Sequence, residues 1–158
     1  MAGTVRKPFD WRTAKLIALD TSPLLYHLEE HPRYAKPVFP VFQSIERGAQ
    51  NATASSLALL EILVAPYRVK DEARRTLLVG LLVSFPNLSW RSVDLSIADR
   101  AAALRAHYNL RTPDAIHLAS AVESGADLFL TNDRRRRPVK GIPILLVEEL
   151  AAVRSVKH

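Results

Sequence analysis

Short apolar runs alternate with longer amphipathic stretches along this chain. Leu16-Ile17-Ala18-Leu19 is almost continuously apolar, too short for a helix, and ends at Asp20, which predicts a strand buried on both faces. Thr21-Ser22-Pro23 then reads as a helix start, with Ser22 as the cap and Pro23 at the first helical position, where its missing N–H costs nothing. Leu24, Leu25 and Leu28 would face the core, and His31-Pro32 would break this helix. A second helix is predicted with Val38, Phe39, Val41, Phe42 and Ile45 on its apolar side and Gly48 at its end. Residues 51–55 form a weak strand candidate. Ser56 is positioned to cap a short apolar helix from Leu57 to Val64 that stops before Pro66.

The second half continues the alternation. Asp71 to Phe85 is helical by periodicity, with Leu77, Leu78, Leu81 and Leu82 inward, and Leu88 to Val93 alternates like a strand. Ser96 with Asp99 resembles a capping box that opens a helix to Tyr108. Thr112-Pro113-Asp114 repeats the earlier start signal, and that helix runs to Gly125. Leu128 to Thr131 and Ile142 to Val147 are the last two strands. Strands alternating with helices predict one α/β domain, its parallel sheet covered on both faces. No internal repeat, linker or low-complexity segment divides it.

Composition narrows the chemistry. The 158 residues are 48% hydrophobic and 24% charged, which suits a globular domain and excludes a disordered or collagen-like chain. Cysteine is absent, so disulfides, thiolate metal sites and a cysteine nucleophile are excluded. No apolar stretch is long enough to span a membrane and the start is no secretory signal, so a cytoplasmic protein is expected. The formal charge is +6, and 16 of the 22 basic residues are arginine. Residues 1–15 carry +3 and the run Arg134-Arg135-Arg136-Arg137 with Lys140 carries +5, which leaves the remaining body at −2. Two basic patches on a mildly acidic body point to a polyanionic partner such as nucleic acid, although a basic surface also serves solubility.

Acids embedded in apolar surroundings are the chemical signal, because a lone carboxylate is costly to desolvate. Asp20 follows the first strand directly, and Asp133 follows Leu128 to Thr131 one residue further on. Glu61 interrupts the run Leu57 to Val64, and Asp114 occupies the first turn of an apolar helix. Two of the four lie at carboxyl ends of predicted strands, where open α/β sheets place their sites. Carboxylates without cysteine or a suitable histidine pair suit a hard, oxygen-ligated cation, Mg²⁺ or Mn²⁺. Each acid alone has a plainer reading: Asp114 as a favourable charge at a helix N-terminus, Asp20 and Asp133 as turn residues, Glu61 as an arginine partner. The set of four in this order carries the argument.

That order is Leu16-Ile17-Ala18-Leu19-Asp20-Thr21-Ser22, Ser56 to Glu61 with Ile62-Leu63, Leu110-Arg111-Thr112-Pro113-Asp114-Ala115, then Gly125-Ala126-Asp127 through Thr131-Asn132-Asp133. It resembles the PIN-domain family, and within it the VapC-type ribonuclease toxins of type II toxin–antitoxin systems, over about residues 16–150. The resemblance implies a three-layer α/β/α sandwich around a short, mostly parallel sheet. It divides the chain into a basic arm (1–15), a PIN-like catalytic domain (16–150) and a short basic tail (151–158). It maps the four family acids onto Asp20, Glu61, Asp114 and Asp133, expected to gather Mg²⁺ or Mn²⁺, with Thr21 or Ser22 and Thr131 and Asn132 in support. The implied reaction is endonucleolytic hydrolysis of RNA to 5′-phosphate and 3′-hydroxyl ends. A homodimer and a small VapB-like antitoxin are the implied partners, with no membrane.

The four arginines after Asp133 are denser than the family requires. They are expected to grip RNA phosphates, with antitoxin docking or a solvated loop as the alternatives. His117 lies one helical turn from Asp114, but a packed histidine is the plainer reading, and His27 and His31 read as surface residues. Glu29, Glu30, Glu148 and Glu149 are expected in solvent, Asp94 and Asp99 in a loop and cap, and Trp90 in the core or an edge strand. Two further functions compete: a PIN-like RNA-processing nuclease without an antitoxin, and an inactive binding module. Retention of all four acids speaks against the second. A dinucleotide binder is disfavoured because no Gly-x-Gly-x-x-Gly follows a strand.

Overall fold

In β1, Leu16–Leu19, successive side chains go to opposite faces, and that alternation divides the core. A computed structural model of the chain describes Lys7, residues 9–136 and residues 138–154, the last four by their backbone alone. Ile17 and Leu19 join Leu128 and Leu130 in one apolar cluster, while Ala18 and Phe129 join another on the reverse face. Four further parallel features complete the sheet: β2 (Asn51–Ser55), β3 (Leu88–Arg91), β4 (Leu128–Thr131) and β5 (Ile144–Leu146), in the order β3-β2-β1-β4-β5 with every pair parallel.

The first cluster draws on helices α1 (Thr21–Leu28), α2 (Ala35–Glu46), α3 (Ser56–Arg68), α4 (Glu72–Val83) and α7 (Val147–Arg154). The second draws on α5 (Leu95–Tyr108) and α6 (Thr112–Glu123). The result is the expected α/β/α sandwich. Burying a Leu or Ile side chain fully is worth about 1.5–3 kcal/mol, and Ile17, Leu24, Ile45, Leu118 and Leu128 are each at most 2% exposed. From β1 the chain builds β2 and β3 on one side, then crosses to β4 and β5 on the other. The switch between β1 and β4 opens a crevice at their carboxyl ends, the position such sheets use for ligands.

Several local expectations are corrected. The cap of α1 is Asp20, whose side chain accepts the Thr21 N–H, and Ser22 and Pro23 lie inside the first turn. Likewise Ser55 replaces Ser56 as the cap of α3, and Asp94 replaces the Ser96–Asp99 box at α5, because each has the extended backbone that aims its oxygen at the helix N–H groups. Helix α1 ends at Leu28, before His31-Pro32, with Glu30 in the left-handed region at φ 49°. Helix α3 runs through Pro66, whose ring is buried in the last turn. Phe39, Leu77 and Leu81 are exposed rather than inward. The last strand is only three residues, and Val147 begins a helix, α7, that crosses the division expected at residue 150.

At the other end, Trp11–Thr13 forms one 3-10 turn with Trp11 buried, so part of the expected arm belongs to the core. Residues 1–6 and 155–158, in the expected arm and tail, lie outside the described residues. His27 stacks on Phe42 at 4.2 Å, and His31 Nδ1 accepts the N–H groups of Arg33 and Tyr34, so neither is a plain surface residue. Glu29 is exposed, as expected, and pairs with Arg74 there, whereas Glu148 is partly buried and pairs with Arg134. Glu149 accepts the Leu146 N–H at the start of α7. Trp90 is partly buried on the edge strand β3, its Nε1 donating to the Leu82 carbonyl. No helix among the described residues is long and apolar enough to cross a membrane.

Candidate active site

Strand ends bring the acids together. Asp20 caps α1 directly beyond β1, with its N–H bonded to the Leu130 carbonyl of β4. Asp133 follows β4, and the Thr131 hydroxyl joins the two: Oγ1 donates to Asp20 Oδ2 at 2.6 Å and accepts the Asp133 N–H at 3.1 Å. Asp114 arrives from the first turn of α6. Asp20 and Asp114 are 4% and 8% exposed, so these carboxylates need partners.

Their common partner is Arg136. Its side chain is buried, Nη2 donates to Asp114 Oδ1 at 2.7 Å, Nη1 forms an ion pair with Asp20 Oδ2, and Nε stands 3.9 Å from Asp133 Oδ2. The Nη1 contact lacks hydrogen-bond alignment, and Nε has no acceptor. A short 3-10 turn, Arg134–Arg136, sets this register. Arg136 is thus no surface cation, contrary to the expectation that the whole run meets RNA. Arg134 pairs with Glu148 and Arg135 clamps Asp133, both from exposed positions, and Arg137 lies outside the described residues.

Glu61 reaches the same crevice from α3, through different contacts. His117 Nε2 is hydrogen-bonded to Glu61 Oε1, lies 3.4 Å from Thr21 Oγ1 and 3.9 Å from Asp20 Oδ1, and Thr21 Oγ1 donates to Glu61 at 3.3 Å. The His117 bond, aided by Thr21 and the Arg136 charge, holds the Glu61 carboxyl below the ordinary glutamate range despite partial burial. Hydrogen bonds from Arg135 hold Asp133 low in the same way. Arg136 was expected on RNA and instead lies among the acids, and His117 is packed, as its plainer reading had it, but against Glu61 at the site. The spacing of His117 from Asp114, three residues on a helix, carried a signal; nothing in the arginine run distinguished its third member.

Asp20, Thr21, Glu61, Asp133 and Arg136 line an open cleft of about 360 Å³ with Ser22, Leu25, Tyr26 and Asn132, whose amide donates to Tyr26 Oη. A larger groove, about 720 Å³, lies along residues 138–144 with Lys7 and Phe9, but holds none of the four acids. Asp20, Glu61 and Asp133 all line the smaller cleft. Three aspartates around one cation form an oxygen donor set of the type hard divalent ions take. Their spacing is that of a guanidinium: among the described residues no three carboxylates or imidazoles are close enough as they stand to hold an ion.

Comparison with known proteins places the chain in a family. The PIN domain family model matches residues 17–142. Similar solved structures include VapBC2 from Rickettsia felis bound to a promoter DNA fragment, at TM-score 0.68 and 14% identity over 83% of this chain and 98% of that one. DNA-bound VapBC from Salmonella typhimurium gives 0.62 and 18% over 83% and 97%. A toxin–antitoxin complex from Klebsiella pneumoniae gives 0.57 and 24% over 80% and 94%. A comparison with curated protein sequences finds no match. The family model covers most of the chain and its span includes all four acids, so this protein belongs to the PIN-domain family.

Proposed function

We propose that this chain is a Mg²⁺- or Mn²⁺-dependent endoribonuclease of the VapC type, the toxin of a type II toxin–antitoxin pair. The observation that carries the reading is the meeting of Asp20, Asp114 and Asp133 at the sheet's switch point, with Glu61 across the cleft. These four acids would hold the ion. When bound, it polarises the phosphodiester and lowers the pKa of an attacking water, so that hydrolysis leaves 5′-phosphate and 3′-hydroxyl ends.

The chain's own groups have separable parts. Thr131 orients Asp20, and Thr21 with His117 fixes the Glu61 carboxylate, the most exposed of the four acids. Ser22 and Asn132 line the cleft beside them. Arg134 and Arg135 present exposed guanidinium edges to an RNA backbone next to Asp133.

A VapB-like antitoxin and a second copy of the chain are the proposed partners. Support comes from the VapBC and toxin–antitoxin complexes among the similar structures and from apolar side chains left in water on two packed helices. Leu60 and Tyr67 on α3 and Leu77 and Leu81 on α4 are 45–62% exposed, an arrangement that marks interaction surfaces. Induced expression in a bacterial host tests the assignment. Growth arrest with loss of intact RNA, abolished by Asp114→Asn, is the expected result. Undisturbed growth from a chain that cleaves RNA in vitro would replace the toxin by an RNA-processing nuclease.

A further inference from the structure

A buried arginine lies where the preceding reading puts a divalent ion. Arg136 is 6% exposed and its guanidinium reaches Asp20, Asp114 and Asp133 at once. It also screens Asp114, because Arg136 lines the open cleft and Asp114 does not. Without Arg136, Asp20 and Asp114 would be buried acids deprived of their shared cation, a costly arrangement.

We propose that Arg136 is a resident cation: it holds Asp20 and Asp114 together in the metal-free protein and competes with the divalent ion for the same carboxylate oxygens. The proposal rests on the reading of the cluster as a divalent-cation site and adds that the site is preloaded by the chain itself. Three features argue for an exchangeable occupant rather than a permanent strut. Divalent ions such as Mg²⁺ need oxygens at about 2.0–2.1 Å, which the oxygens facing Nη1 and Nη2 cannot offer while the guanidinium is between them. The guanidinium is incompletely satisfied: Nε stands 3.9 Å from Asp133 with no hydrogen-bond acceptor, so one buried donor already lacks a partner while the side chain is in place. Finally, it hangs from a three-residue 3-10 turn, held locally by Arg136 N–H to the Asp133 carbonyl and Val139 N–H to the Arg136 carbonyl, which requires little rearrangement for the side chain to swing out.

The two cations are then linked. Measured metal affinity equals the affinity of the arginine-out state reduced by the fraction of molecules in that state. Arg136 is a positioning residue in this scheme, since it acts through the acids it aligns.

Calorimetric titration of Mn²⁺ into the full chain, its Arg136→Met variant and its Asp114→Asn variant tests the exchange. The expected result is that Arg136→Met binds Mn²⁺ roughly 5- to 150-fold more tightly than the unaltered chain, and that its metal-free melting temperature falls and recovers as Mn²⁺ is added. Equal or weaker binding by a folded Arg136→Met chain, with Mn²⁺ bound normally by the unaltered one, overturns the proposal and leaves the divalent site standing. No Mn²⁺ binding beyond that of Asp114→Asn in either chain removes the site and the proposal together. Should Arg136→Met fail to fold, the side-chain Nε–H resonance of Arg136 in the unaltered chain decides. Loss of its protection and a shift toward a free guanidinium on Mg²⁺ saturation supports exchange, and an unmoved signal overturns it.

Discussion

Thr131, at the end of β4, donates its hydroxyl to Asp20, at the end of β1, across 2.6 Å inside the protein. The same oxygen receives the Asp133 N–H, so one fully buried hydroxyl sets two of the four acids. Replacing Thr131 by Val keeps the shape and takes one hydrogen bond from the buried Asp20 carboxylate, leaving it the Thr21 N–H and Arg136. Hydrogen bonds to charged groups are worth about 1.5–3 kcal/mol, and a loss of that order is expected in urea unfolding of Thr131→Val.

Asp127 offers a contrast away from the cleft. Its Oδ2 accepts the N–H groups of Lys15 and Leu16, both at 2.9 Å, and so pins the start of β1. Asp127 is exposed, and its removal should cost only on the order of 1 kcal/mol. Asp127→Ala is expected to lower the melting temperature while RNA cleavage below that temperature stays unchanged.

Glu61 and Asp133 both carry carboxyls held below their ordinary values, Glu61 chiefly by the bond from His117 and Asp133 chiefly by those from Arg135. A carboxyl depressed on folding contributes stability above its unfolded pKa and loses it as pH falls through the folded one. The chain should therefore weaken as pH drops below the ordinary carboxylate range, near 4.5 for Glu61 and 3.8 for Asp133. Urea midpoints measured from pH 6 to pH 3 should show this fall, and it should be shallower in Glu61→Gln. His117→Phe should raise the Glu61 carboxyl toward its ordinary value, read by NMR titration of that carboxyl.

Leu77 and Leu81 leave two leucines in water on α4. Their joint replacement by Glu should leave the melting temperature nearly unchanged, as surface substitutions generally do. Pull-down of a co-expressed VapB-like antitoxin should fall sharply if that face docks it, and unaltered co-purification would move the partner elsewhere.

The strands were legible in the sequence because four of them lie within short apolar runs or alternating segments, and burial leaves such runs few alternatives. Caps were less legible. Ser22 and Ser56 are good cap residues, yet Asp20 and Ser55, one or two positions earlier, take the role because backbone angles, not residue type alone, choose the cap. Helix α7 was missed because Val147 passes from β5 into a helix with no intervening turn signal. The acids were found by their apolar settings. The burial of Arg136 among them was not legible, since it depends on the register of one 3-10 turn and on aspartates 22 and 116 residues away in the chain.

Cleavage of RNA by the purified chain tests the central claim most directly, run with Mn²⁺ or Mg²⁺, with EDTA, and beside Asp20→Asn and Glu61→Gln. The account predicts cuts that require the divalent ion, end in 5′-phosphate and 3′-hydroxyl groups, and fall by at least about 100-fold in either variant, the scale on which a positioned acid–base group contributes. An antitoxin-free chain that cuts no RNA across a range of ion concentrations would contradict it and leave a binding module on a PIN fold.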